Sequence, residues 1–176
     1  MPTLRVTQVY DEVNRFKASI HNFFASQGRD VIFLETATRF ADRRRHTCIE
    51  CIPMDREEGA DAPLFFRKAI LDSEEWTTNK QLIDTAGRGL RRSVPKGFAY
   101  FHVAWQGGGF VHPIEDEEAF PGQFGLDTAA GMLGLPPSAF GRKEQRPQFE
   151  AERLAVLAFL KDFRPYDWTL GLEGGA

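Results

Sequence analysis

Two groups of side chains in this 176-residue chain have the types and spacing to do chemistry. The first is the run His46-Thr47-Cys48-Ile49-Glu50-Cys51-Ile52-Pro53. Side chains of an extended strand alternate between its faces, so His46, Cys48 and Glu50 share one face and Thr47, Ile49 and Cys51 take the other. That makes this run the best candidate for an active strand; a strand with one merely polar face is the alternative. Its two thiols fall on opposite faces, so the Cys-x-x-Cys spacing does not chelate one metal in a regular strand, although in a loop it would suggest zinc. No metal site and no cofactor is expected.

The second group is Arg91, Arg92 and Lys96, which flank Pro95 just ahead of an aromatic hairpin. Arginine grips phosphate with two parallel hydrogen bonds, and aromatic rings stack on bases. A basic loop beside a rigid aromatic hairpin therefore suits a nucleic-acid backbone, and a solvated basic loop before a core hairpin is the alternative. Tyr100, His102 and His112 are candidates for base or backbone contacts if they are exposed. Lys80 and the run Arg43-Arg44-Arg45 are further candidate phosphate contacts. Binding carried by such contacts falls steeply with salt.

These groups must be positioned by local elements. Val9, Val13, Phe16, Ile20 and Phe24 recur at helical spacing, which predicts an amphipathic helix from about Thr7 to Ser26, with Gly28 as its stop. Val31 to Leu34 reads as a buried strand, Thr38 to Arg45 as a polar loop, and His46 to Met54 as a second strand that Pro53 brings to its end. Asp55 to Asp61 reads as an acidic turn, with Asp61 capping a helix that has Pro63 in its first turn and carries Leu64, Phe65, Lys68 and Leu71. In the hairpin, Phe98, Tyr100 and His102 share one face, while Ala99, Phe101, Val103 and Trp105 lie on the other, and both faces are expected to be covered. Gln106 to Gly109 reverses the chain, and Phe110 to Ile114 returns as the partner strand, ending at Pro113 or lying at an edge. Phe124 to Leu133 reads as a helix followed by Gly134, and Phe149 to Phe163 as an amphipathic helix with Leu154, Leu157, Ala158 and Leu160.

Composition narrows the function classes. Apolar residues make up 42% of the chain and include 16 phenylalanines, enough for a substantial core. The formal net charge is -3, so any nucleic-acid contact must be local. Two cysteines provide no disulfide framework, which makes a reducing compartment the default. No apolar run approaches the length of a membrane span, so no membrane partner is expected.

An ordered series of short stretches resembles the C-terminal region of the CwfJ-type, or Cwf-nineteen-like, pre-mRNA splicing factors. It begins with Phe33-Leu34-Glu35-Thr36, His46 and Glu50-Cys51-Ile52-Pro53, and continues through Ala62-Pro63, Phe66, Lys68-Ala69-Ile70, Glu75-Trp76 and Asn79-Lys80. Leu82-Ile83-Asp84, Arg91 to Gly97, Tyr100-Phe101, Gly108-Gly109-Phe110 and His112 follow. Ile114-Glu115-Asp116, Phe120-Pro121, Phe124-Gly125, Gly131-Met132-Leu133 and Asp167 close the series, which spans about residue 6 to 169. Each piece alone is weak, whereas the ordered series is specific.

The resemblance implies an α+β fold: an incomplete histidine-triad-like unit, then a smaller helix, β-hairpin and helix region. The corresponding divisions are 1–55, 56–170 and a loose tail at 171–176. It implies that His46, Cys48 and Glu50 occupy the three triad positions, with Cys48 where an active enzyme has its attacking histidine. Strands that complete the nucleotide pocket lie upstream in the family. The expected role is therefore a non-catalytic module of the nuclear spliceosome, acting in pre-mRNA splicing and intron-lariat turnover. Its implied partners are RNA and splicing proteins, with the lariat and the lariat debranching enzyme as candidates; the oligomeric state is open. A histidine-triad-type phosphohydrolase or transferase using His46 with His102 or His112, and a protein-binding scaffold using Glu57-Glu58 and Glu115 to Glu118, are the alternatives. The chain is expected to be either a fragment of a longer protein or a shortened product whose half-sheet needs a partner at its edge.

Overall fold

Helix α1 (Thr3–Ser26) forms over the periodic apolar positions and starts four residues earlier than the spacing predicts. In the computed structural model, residues 3–38, 47–72, 82–140 and 149–172 are described. Backbone contacts divide the chain into two compact units, Val31–Gly141 and Met1–Asp30 with Arg142–Ala176.

The larger unit is built on a five-stranded sheet in the order β2-β1-β4-β5-β3. Its strands are β1 (Arg29–Ala37), β2 (Ile49–Asp55), β3 (Ile83–Asp84), β4 (Tyr100–Trp105) and β5 (Gly108–Pro113). Strand β1 runs antiparallel to β4, with Leu34 opposite Val103 and Glu35 opposite His102. The two regions that the sequence separates near residue 55 therefore meet inside one sheet. The hairpin pairs with β1, and the fold is α+β. Helices α2 (Arg56–Asp72) and α3 (Phe124–Met132) supply the rest of the core, where Ile32, Leu34, Ile52 and Met54 gather with Phe66, Ile70, Phe101, Val103 and Ala129.

Residues 55–61 are not a turn: α2 begins at Arg56, and the Asp55 backbone N–H donates to Glu58 Oε2 at 3.0 Å. A glutamate three residues into a helix reaching back to the residue before it is half of a capping box, and carboxylates in a first turn favour the helix dipole. The buried stripe is Gly59, Ala62, Phe66 and Ile70, while Leu64 and Phe65 face water. Pro53 does not end its strand: β2 runs on to Asp55, and it lies at the end of the strand order, where proline is best tolerated.

Pro63 lies inside α2 rather than in its first turn, and its ring crowds the carbonyl four residues back while offering that carbonyl no N–H. Pro63→Ala is expected to raise stability by about 1–2 kcal/mol, after allowing for the looser unfolded chain, read as a higher urea midpoint.

In the smaller unit, Phe23 is buried, and its ring meets those of Phe159, Phe163 and Tyr166 edge-on at 5.4–5.7 Å. Helix α4 (Phe149–Phe163) has the predicted limits, but Leu154, Leu157 and Leu160 are exposed and Phe163 is its one buried residue. Trp168 receives the Phe16 ring at 5.1 Å and the Arg15 guanidinium over its face at 5.1 Å.

Candidate nucleic-acid interface

The basic segment is a folded loop held by its own backbone. Gly89 N–H donates to Thr85 O at 2.8 Å, and Leu90–Arg92 form one turn of 3₁₀-helix. The N–H groups of Ser93 and Val94 both donate to Leu90 O, and Ser93 Oγ donates to Gly89 O at 2.8 Å. Leu90 and Ser93 are buried, so they act as the pegs of the turn. Arg91 and Arg92 project from its other side into solvent, and Arg88 and Lys96 are exposed as well. The arrangement follows from the sequence: one apolar and one small polar residue anchor a turn whose remaining positions are cations.

The chain then turns again into β4. Phe98 N–H donates to Pro95 O at 3.2 Å, and Ile114 N–H donates to Ala99 O at 2.9 Å. Tyr100 stands opposite Pro113 in the ladder, so the loop after β5 leaves the sheet at the end where the basic segment enters it. That loop is acidic: Glu115, Asp116 and Glu118 are exposed. Asp116 Oδ1 accepts from the N–H groups of Glu118 and Ala119, which fixes one carboxylate to the backbone. An approaching polyanion thus meets cations on the 88–96 side and repulsion on the 115–118 side.

Tyr100, His102 and His112 divide differently from the sequence expectation. Tyr100 is half-buried and its hydroxyl donates to Glu35 Oε1 at 2.6 Å, so it braces β4 against β1. His102 is 5% exposed and His112 0%, so the exposure on which their candidacy depended is missing, and both drop out as nucleic-acid contacts. In the ladder His102 faces Val111, and His112 faces Phe101, the residue next to His102 in sequence; the two imidazoles therefore lie on opposite faces of the sheet. At most one of them could therefore join any single reaction centre. Strand alternation identified the two faces but not what covers them.

The other proposed site is only partly in view. His46, Arg43, Arg44, Arg45 and Lys80 lie outside the described residues. Cys48 is exposed and precedes β2, which begins at Ile49, so strand alternation does not place it with Glu50. Glu50 is half-buried in the strand whose positions 52 and 54 enter the core, and Cys51 is exposed. Among the described residues, no three His, Cys, Asp or Glu side chains gather into a set that could hold a metal ion. No described helix is long and apolar enough to cross a membrane.

Sequence reasoning missed Phe98 as a surface group. It was expected to share a covered strand face, but β4 begins at Tyr100, and Phe98 is 57% exposed two residues after Lys96. The Pro95-Lys96-Gly97 turn just before it is the signal that could have excluded it from the strand.

Two family models match the chain. One, for proteins similar to the CwfJ C-terminal, covers residues 3–67, and the other, for proteins similar to CwfJ C-terminus 2, covers residues 75–169. The chain is 41% identical over 169 residues to the human protein named CWF19-like protein 2, covering 95% of this chain and 19% of that one. It is 36% identical over 174 residues to the pre-mRNA-splicing factor cwf19 of Schizosaccharomyces pombe, covering 93% of this chain and 27% of that one. A weaker similarity, 29% over 163 residues and 91% of this chain, extends to an Arabidopsis thaliana protein named zinc finger CCCH domain-containing protein 64, of which it covers 27%. The chain thus spans about a fifth to a quarter of the length of these curated relatives.

Proposed function

Because the chain belongs to the family of proteins similar to the CwfJ C-terminus, we propose that it is a splicing module that binds RNA through Arg91, Arg92 and Lys96. It acts without catalysis in the nucleus, in pre-mRNA splicing and turnover of the intron-lariat complex, among spliceosomal proteins. The name of the Schizosaccharomyces pombe relative supports the splicing part of this reading.

The observation that carries the RNA part is the exposed cations on a segment whose backbone is already fixed. A preformed loop loses little conformational entropy when it meets a phosphate chain, so more of the contact energy appears as affinity. Histidine-triad-type hydrolysis, with His102 or His112 joining His46, has less behind it, since each of these two side chains is buried.

The test is titration of a short RNA across a salt series with the parent chain and with Arg91, Arg92 and Lys96 all changed to alanine. Each neutralised phosphate of a single strand contributes about 0.7 to the slope of log affinity against log salt, so losing three flattens it by about 2. Affinity at low salt is expected to fall at least about tenfold, from the loss of three phosphate contacts. Unchanged affinity would remove these residues from the interface.

A further inference from the structure

We propose that Phe98 is a stacking platform for an unpaired base, so that the RNA bound by the basic segment is single-stranded there. This rests on the phosphate-binding reading above and adds to it the ligand's strandedness.

Phe98 is 57% exposed, while the residues that hold its backbone are tied down. Its own N–H is bonded to Pro95 O, and the next residue, Ala99, is buried with its carbonyl bonded to Ile114 N–H. Gly97, at φ +87, takes a conformation that a side chain would resist, and this sharpens the turn that presents the ring. The ring is therefore offered on a rigid mount, as in surfaces that stack bases with little ordering cost. Lys96 is two residues away, which limits its Cα to about 7 Å from that of Phe98. Arg91 and Arg92 are exposed on the 3₁₀ turn that precedes this one in the same loop.

Cations beside an exposed ring match the two needs of a single strand: neutralised phosphates and a face for each splayed base. A duplex offers the phosphates but keeps its base faces stacked on one another. Phenylalanine carries no donor or acceptor, so stacking here reads no base identity. The acidic loop at 115–118 further favours a thin, flexible strand, which can follow the basic side alone.

The experiment uses the whole chain and three fluorescent probes: a single-stranded RNA, the same sequence as a blunt duplex, and the single strand with abasic sites. Phe98→Ala is expected to weaken binding of the single strand by between about fivefold and a hundredfold while leaving the salt slope unchanged. Phe98→Trp is expected to keep the affinity. The abasic strand and the duplex should bind parent and Phe98→Ala alike. Because the ring is exposed, Phe98→Ala should melt near the parent temperature. If Phe98→Ala binds the single strand as the parent does while the triple alanine variant does not, stacking is wrong and phosphate contact stands. If Phe98→Ala weakens single strand, duplex and abasic strand equally, stacking is also wrong. If the triple variant retains full affinity, the phosphate reading fails, and this inference fails with it.

Discussion

Truncating Phe101 to alanine is expected to remove about 3–5 kcal/mol of stability, a large share of what a domain of this size holds. Phe101 is 0% exposed at the centre of the sheet. Its ring lies 6.2 Å from Phe66 of α2, 6.3 Å from Phe120 and 5.0 Å edge-on from Phe124 of α3. A Cβ on Gly125 would sit 2.7 Å from the ring's Cε2, so the ring fills the notch that this glycine leaves in α3. Three elements thus close around one side chain, and none can follow it inward, because the strand is pinned on both sides by β1 and β5. The cavity would stay open, which places the loss at the upper end of large-to-small changes. Urea unfolding should show a lower midpoint with an unchanged slope. A loss below about 1 kcal/mol would mean that α2 and α3 collapse onto the gap and that this core is far more plastic than close packing allows.

How much of this was legible in the sequence differs from residue to residue, for physical reasons. The hairpin faces were legible, since a period of two leaves no choice about which side chains share a face: Tyr100 with His102, and Phe101 with Val103 and Trp105. Helix α3 and the span of α4 were legible from period and from Gly134. The cations were legible as exposed because neutralising or burying them is costly.

What was not legible depends on distant parts of the chain. The acidic run at 55–61 has a loop's composition, yet the stripe Gly59, Ala62, Phe66 and Ile70 finds a core to bury it, and tertiary packing overrides local preference. The Asp55 to Glu58 contact was the local clue. Helix α4 shows the reverse: its apolar spacing announces a helix but not a cover, and most of that surface faces water. The candidate site divides along the same line. Arg91, Arg92 and Lys96 are exposed, whereas His102 and His112 are withdrawn because what covers the two faces of the sheet, invisible locally, buries both. Phe98 emerged for the complementary reason, lying two residues before the strand begins.

The second large effect is expected at Gly109, where alanine should destabilise the chain by about 1–3 kcal/mol or more, although it adds a single methyl group. An added Cβ would lie 2.7 Å from Val103 O and 2.7 Å from Thr85 Oγ1, with His102 Nε2 at 3.2 Å. Side chains can rotate away, but the Val103 carbonyl belongs to the β4–β5 ladder and cannot move without opening it. Gly109 also accepts the Thr85 N–H at 2.9 Å, and Gly89 N–H bonds to Thr85 O, so a displaced Gly109 would shift the root of the basic turn. The substitution should therefore have two readouts: a lower urea midpoint, and weaker RNA binding even where the chain is still folded. Gly122→Ala supplies the contrast, since nothing lies within 4 Å of its added Cβ and its φ is ordinary; its stability should stay within about 0.5 kcal/mol of the parent. If Gly109→Ala matched Gly122→Ala in stability, the hairpin would have room that the ladder geometry does not leave. If it were destabilised but kept full RNA affinity, the basic turn would not depend on Thr85 for its position.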